Sequence, residues 1–316
     1  MLLGARREDP LPEPDWIAVD WGTSNVRAWG MAADGRPLFE RSAPEGMSRL
    51  TQADYPAILS RLLEGELAGK RSAEVLVCGM AGAKTGWREA GYLDAPTALN
   101  ALMPAAVRPD TGDLSFDVRI LPGVCQRKPG AEDVMRGEET QLLGLTVLRR
   151  GYSGTVIMPG THSKWVTLED GRLTRFETAM TGELFEVLGA HSVLRLSLGG
   201  EQNGPATEDG IAAGMEAGIT APERLSSLLF RARSASLLAG KGADWCSGYL
   251  SGLLVGAEVA GHRDWIGPAA VPLIGSTRLC RIYAAALKRL GATSETIEAT
   301  TATLAGLSAA RRQGQA

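Results

Sequence analysis

Histidine and cysteine are too few and too scattered in this sequence to spell out a metal site. His162, His191 and His262 lack the His-x-x-x-His spacing, and Cys78, Cys125, Cys246 and Cys280 form no Cys-x-x-Cys pair. Neither a local zinc site nor a redox motif follows, and reduced, buried thiols are expected. No apolar run reaches the roughly 18 residues of a membrane span, because glycine, serine or a charge interrupts each one. A basic patch is missing too: the net charge is −3 and lysine and arginine are dispersed, which leaves no electrostatic footprint for nucleic acid. Residues 1–14 mix charges with three prolines and match neither a signal peptide nor a packed element, so they read as a loose tail. What remains is 316 residues, 44% of them hydrophobic, enough for two cores. A cytoplasmic protein with a small-molecule partner is expected, with a homodimer left open.

The chain opens with a short apolar run, Trp16 to Val19, closed by Asp20 and the turn Trp21-Gly22-Thr23-Ser24-Asn25. A dinucleotide or P-loop unit would place a helix directly after such a turn. Here Val26 to Met31, the hairpin signal Asp34-Gly35, and Pro37 to Ser42 predict two more strands. A helix over Ala53 to Leu67, a strand over Glu74 to Met80, a weaker strand over Val118 to Leu121 and a helix over Arg136 to Leu148 complete a first half. The pattern restarts after Gly151, with a strand over Thr155 to Met158, the turn Pro159-Gly160-Thr161-His162-Ser163, a strand from Lys164 to Leu168, Asp170-Gly171 and a strand over Leu173 to Phe176. Later come helices, a strand over Val271 to Ile274 ending in Gly275-Ser276, and helices over Thr277 to Leu290 and Ser294 to Arg311. The repeat predicts an α/β, two-lobed actin-like ATPase fold of the ribonuclease H-like type. Its lobes would span 15–150 and 151–316, with nucleotide and sugar bound between them.

Each glycine turn suits an anion, since small residues let backbone N–H groups approach a phosphate. Asp20 can orient water on Mg²⁺, while Gly22, Thr23 and Ser24 offer donors to the β- and γ-phosphates of ATP. Gly160 and Thr161 supply the facing cradle, with Lys164 as a candidate phosphate contact and His162 as a candidate partner of the acceptor. Glu138 and Glu139 open a helix just ahead of that second turn, where a kinase needs a carboxylate to take the proton of the attacking hydroxyl. Acids in a first helical turn also complement the helix dipole. Successive helical residues point about 100° apart, so only one can face the acceptor. Glu139 lies above the packed stripe of Leu142 and Leu143, which favours Glu138 as the base and leaves Glu139 as the alternative. Past Cys78, Lys84, Trp87 and Arg88 combine cations with apolar walls, as a carboxylate-bearing substrate requires.

As a set, residues Val19 to Asn25, Gly79-Met80-Ala81-Gly82, Met135 to Gly144, Pro159 to Trp165, Thr181-Gly182-Glu183-Leu184 and Tyr249 to Glu258 resemble the 2-dehydro-3-deoxygalactonokinase family. The resemblance runs from about Trp16 to Arg311. It implies ATP-dependent phosphorylation of 2-dehydro-3-deoxy-D-galactonate at its 6-hydroxyl, a step of galactonate breakdown. It further implies an adenosine-binding role for Gly275 and Ser276, and sugar-acid contacts among Lys84, Trp87, Arg88, Arg136, His162 and Glu183. The alternatives are a kinase of the same fold for another sugar or sugar acid, and a nucleotide-dependent sensor without turnover. A DNA-binding repressor of related fold would need a longer N-terminal extension than the 14-residue tail.

Overall fold

Six residues that are nearly all buried, Trp16–Trp21, form the strand β1 at the centre of the first sheet. The computed structural model describes residues 13–66, 73–112, 115–200 and 204–315, so the tail expected over 1–14 lies almost entirely outside the described residues. In chain order the elements are β2 (Val26–Met31), β3 (Pro37–Ala43), α1 (Asp54–Leu62), β4 (Ala73–Gly79), β5 (Tyr92–Asp94), β6 (Thr97–Ala98), β7 (Phe116–Ile120), β8 (Gly123–Gln126), β9 (Asp133–Met135) and α2 (Glu138–Leu148). They continue with β10 (Gly154–Met158), β11 (Ser163–Glu169), β12 (Arg172–Ala179), α3 (Thr181–His191), α4 (Pro205–Thr220), α5 (Leu225–Leu229), α6 (Arg231–Ala239), α7 (Ala243–Gly261), β13 (Val271–Gly275), α8 (Thr277–Arg289), β14 (Ser294–Glu298) and α9 (Ala299–Gln313).

The described chain divides into two compact units. One holds the residues up to Cys125, Val134–Arg150 and those from Ala302 onward; the other holds Gln126–Asp133 and Gly151–Thr301. In the first unit the main sheet runs β3-β2-β1-β4-β7, with antiparallel pairs among the first three strands and parallel pairing of β1, β4 and β7. In the second unit the strands run β12-β11-β10-β13-β14, again two antiparallel pairs followed by parallel ones. Both units therefore carry the same strand order, that of the actin-like, ribonuclease H-like α/β fold. The hairpin corners sit where the sequence puts them: Asp170 and Gly171 both adopt positive φ at the β11–β12 turn.

Two segments differ from the sequence reading. Ser294–Glu298 is the edge strand β14, so the helix expected from Ser294 begins only at Ala299. Four of its five residues are polar and only Ile297 is buried, so no strand alternation stands out from the helical pattern that follows. The helix that the sequence predicts over Met180 to Leu198 stops at His191, where Ser192 turns extended and its side chain caps a short 3-10 turn.

Glycines bring helices into backbone contact in both units. Gly210, Gly214 and Gly218 of α4 face Gly248, Gly252 and Gly256 of α7, and a Cβ on any of them would overlap backbone atoms of the opposite helix. In the first unit, Gly144 of α2 lies against the backbone of Ala302 and Gly306 of α9 against that of Thr140.

Candidate active site

In the first unit three backbone ends converge. Asp20 is the penultimate residue of β1, and its Oδ2 accepts from Arg27 Nη2 at 2.8 Å across the hairpin. Gly79 closes β4 with φ +86°, and a Cβ there would stand 2.7 Å from the Trp21 carbonyl oxygen and 3.3 Å from Asp20 Oδ1. Gly137, φ +109°, precedes α2, and its Cβ position lies 3.5 Å from the Gly79 Cα. Gly79 is needed for conformation and closeness alike, whereas Gly137 is needed for its positive φ. The end of β1, the end of β4 and the start of α2 thus form one corner, with Thr23, Ser24 and Asn25 exposed on the adjoining turn. The Gly22 N–H is already used, donating to the Asn25 carbonyl at 2.9 Å.

The two glutamates of α2 part company in this corner. Glu139 is fully buried, and its carboxylate accepts from the Gly137 N–H at 2.7 Å and the Thr140 hydroxyl at 3.0 Å. Burial, aided by the charge of Glu138, pushes its pKa up to about 7. Glu138 is half-buried and accepts from the Arg136 N–H at 3.1 Å. Cys78, beneath the corner, is held well above the ordinary thiol range by burial and by the charges of Asp20 and Glu139.

A second feature of this unit is a pocket of about 800 Å³ lined by Lys84, Trp87, Arg88, Gly91 and Asp110, with Gln52 and Pro56 on its other side. Lys84 and Arg88 are exposed on its wall, whereas Trp87 is buried and donates from Nε1 to the Asp110 carbonyl at 2.9 Å. Arg136 stacks 4.3 Å over the Tyr92 ring and donates to the Gly91 carbonyl at 2.8 Å. Its Nε and Nη1 are buried without an acceptor in the protein.

In the second unit a pocket of about 420 Å³ gathers Gly160 and Thr161 from the second glycine turn, Thr181, Gly182 and Phe185 from α3, Ser251, Leu254 and Val255 from α7, and Ser276, Arg278 and Leu279 at the start of α8. Ser276 caps α8, its Oγ accepting the Leu279 N–H at 3.4 Å. Gly275 lets β13 approach that turn: a Cβ there would lie 2.8 Å from the Pro159 carbonyl oxygen. The Arg278 Nε is buried with no acceptor in the protein. Polar groups from three helices and a glycine turn around an apolar wall suit a nucleotide.

The remaining sequence-predicted residues of this unit lie in side-chain pairs. Lys164 is buried, and its Nζ donates to Thr178 Oγ1 at 2.7 Å, which in turn donates to Asp133 at 2.6 Å. The His162 Nε2 and the Glu183 carboxylate meet in a hydrogen bond, both side chains partly exposed. The residues that sequence reasoning missed are Thr181, Phe185, Ser251, Leu254, Arg278 and Leu279. Thr181, Ser251 and Leu254 stand inside motifs quoted for the family resemblance, and Arg278 had a signal of its own, a cation two residues past the Gly275-Ser276 turn.

Among the described residues, no cluster of three or more His, Cys, Asp or Glu could hold a metal ion, and no helix is long and apolar enough to cross a membrane. All four cysteines are buried thiols.

A family model described as 2-keto-3-deoxy-galactonokinase matches residues 20–310. A protein of Rhizobium meliloti (strain 1021), assigned provisionally as a 2-dehydro-3-deoxygalactonokinase, is 41% identical over 308 residues, covering 94% of this chain and 96% of that protein. The 2-dehydro-3-deoxygalactonokinase of Escherichia coli (strain K12) is 34% identical over 293 residues, covering 92% and 96%. A crystal structure from Sinorhizobium meliloti, likewise under a provisional 2-dehydro-3-deoxygalactonokinase assignment, superposes with a TM-score of 0.84 at 40% identity, covering 94% of this chain and 98% of that one.

Proposed function

The chain belongs to the 2-keto-3-deoxy-galactonokinase family, which makes it a sugar-acid kinase of galactonate breakdown, and we propose that it moves the terminal phosphoryl group of ATP to the 6-hydroxyl of 2-dehydro-3-deoxy-D-galactonate. The products are the 6-phospho acid and ADP. The observation that carries the assignment of roles is the corner of the first unit, where Asp20, Gly79, Gly137 and Glu138 come from three chain ends to one place.

Glu138 is the base. It is partly exposed at the start of α2, so a substrate hydroxyl can reach it, whereas Glu139 is sealed in and occupied by the Gly137 and Thr140 donors. Proton transfer needs contact, and contact needs exposure. Asp20 would hold hydrated Mg²⁺, an ion commonly bound through one or two carboxylates: its Oδ2 is fixed by Arg27 while its Oδ1 faces the side-chain-free Gly79. The metal, when bound, neutralises charge on the transferring phosphate. Thr23 and Ser24 supply donors on the exposed turn, which Gly22 closes through its N–H on the Asn25 carbonyl.

In the second unit the pocket of Gly160, Thr161, Ser276 and Arg278 binds ATP, with Leu254, Leu279 and Phe185 against the adenosine and the orphaned Arg278 Nε as a donor to it. Lys84 and Arg88, on the wall of the first unit's pocket, take the substrate carboxylate, and Trp87 walls it. The pyranose form ties up the 6-oxygen, so the furanose or open-chain form is the one phosphorylated. A coupled ADP-release assay with a panel of sugar acids and plain hexoses tests the proposal. Turnover on the keto-deoxy acid exceeding glucose and galactose by orders of magnitude is expected, because plain hexoses lack the carboxylate that Lys84 and Arg88 take. Comparable rates on glucose would overturn the substrate.

A further inference from the structure

Glu258 lies on α7, 8% exposed, beside the buried Leu253, Leu254, Val255 and Val259. A carboxylate in such a place is costly unless donors surround it. Three do. Trp165 Nε1 donates to Oε1 at 2.7 Å, Tyr283 donates its hydroxyl proton to Oε2 at 2.6 Å, and the Thr181 hydroxyl also donates to Oε2. They come from β11, from α8 and from the first residue of α3. On the α7 side, His262 stacks on the Trp165 ring at 4.4 Å and its Nδ1 meets the Glu258 carbonyl at 2.8 Å.

The bonds have a direction. A tyrosine hydroxyl has one proton, and Tyr283 gives it to Glu258. Its oxygen, 2.8 Å from Ser163 Oγ, must therefore accept from Ser163. Having given its own proton away, Ser163 Oγ accepts the Gly160 N–H at 3.4 Å. A chain of donors thus runs from Gly160 through Ser163 and Tyr283 to Glu258, and a second branch enters from Thr181. Gly160, Thr181 and Tyr283 all line the 420 Å³ pocket. Neither the glycine turn nor the start of α3 contains the group that orients it; that group is a carboxylate on α7.

We propose that Glu258 is a positioning residue for the nucleotide: through Thr181, Tyr283 and Ser163 it fixes the start of α3, the wall of α8 and the second glycine turn in the arrangement that binds a nucleoside triphosphate. The inference rests on the reading of this pocket as the ATP site. Glu258 touches no reacting atom, so its loss acts on nucleotide affinity and leaves the sugar-acid site alone. Replacing it with glutamine keeps the volume but turns one acceptor into a donor, so an NH2 group must face either the Trp165 N–H or the two hydroxyls, and the charge that draws all three donors is gone.

The experiment pairs steady-state kinetics of Glu258→Gln with photolabelling of the wild-type chain by 8-azido-ATP. The expected result is a KM for ATP raised about tenfold, the scale of one lost hydrogen bond to a charge, with the KM for the sugar acid within about twofold and the circular dichroism unchanged. Label should fall on peptides carrying Phe185, Leu254 or Leu279. Label elsewhere overturns the pocket assignment and the proposal with it. Label in these peptides together with an unchanged ATP KM, or with both KM values shifted in parallel, overturns the role of Glu258 alone. Should Glu258→Gln not fold, Tyr283→Phe cuts the same chain at one oxygen, and it must show the selective rise; an unchanged ATP KM there overturns the proposal.

Discussion

The N–H of Gly137 donates to the Glu139 carboxylate at 2.7 Å, closing the first turn of α2 around a side chain with no exposure. Glu139 has a pKa raised from 4.5 to about 7, first by burial and then by the charge of Glu138. The native state then keeps a proton that the unfolded chain has released, so the stability tied to this group is full below about pH 4.5 and is lost as pH rises through about 7. Thermal melts across this window should show the wild type losing stability as pH rises. Glu139→Gln, neutral throughout, should flatten that loss by an amount on the order of a few kcal/mol. Identical slopes in the two proteins would contradict the placement of Glu139.

Its neighbour should behave in the opposite way. Glu138→Gln is expected to lower kcat by roughly 10²- to 10⁴-fold, the usual cost of losing a general base, and to leave the melting temperature nearly unchanged. Glu139→Gln should keep most of its turnover at pH 7. A large turnover loss confined to Glu139→Gln would reverse the roles.

Asp20→Asn should collapse turnover by about 10²-fold or more while the sugar-acid KM stays near that of the wild type, because Asp20 acts through metal and phosphate. The check is a full kinetic comparison at saturating Mg²⁺, where near-normal turnover would remove Asp20 from the mechanism.

Lys84→Ala and Arg88→Ala are expected to raise the sugar-acid KM by about ten- to a hundredfold each and to leave the ATP KM unaltered, since a charge-assisted hydrogen bond contributes roughly 1.5–3 kcal/mol. If neither variant moves the sugar-acid KM, the 800 Å³ pocket is not the carboxylate site.

Gly182→Ala is the sharpest steric probe of the second unit. The added methyl would stand 2.5 Å from the Gly160 carbonyl oxygen and 2.6 Å from the Thr161 Cα, so α3 must retreat from the glycine turn. An ATP KM raised about tenfold or more is expected, with a fall in melting temperature from the overpacking. Calorimetric titration with a non-hydrolysable ATP analogue gives the same reading without turnover, and wild-type affinity in that titration would refute it.

Local chemistry made much of this fold readable. Asp34-Gly35 and Asp170-Gly171 mark hairpin corners, and a strand followed by a glycine turn and a second strand excluded the dinucleotide-binding alternative before any coordinates. Strand β14 was hidden because its single buried residue, Ile297, leaves no alternation to detect. The catalytic candidates Asp20, Glu138 and Glu139 sit at strand and helix ends, where a short motif records them. The pocket of the second unit is assembled from Thr181, Ser251 and Arg278, dozens of residues apart, and no local pattern links them. Glu258 had a signal of its own: it is the one charged residue of α7 after Asp244 in the first turn, and an acid between Val255 and Val259 has to find donors somewhere.

The placement of α9 bears on how the protein is made. Its residues from Ala302 onward belong to the first unit, where Arg311 donates to Glu74 of β4 at 2.8 Å and Gly306 lies on the backbone of α2. The half of the molecule that leaves the ribosome first is therefore not the half that can be finished first. The corner holding Asp20 and Glu138 must wait, with the α2 face that α9 covers still exposed, while the whole second unit is synthesised and free to fold by itself. A purified chain truncated before Ala302 should thus carry a protease-resistant second unit beside a first unit that is still digested.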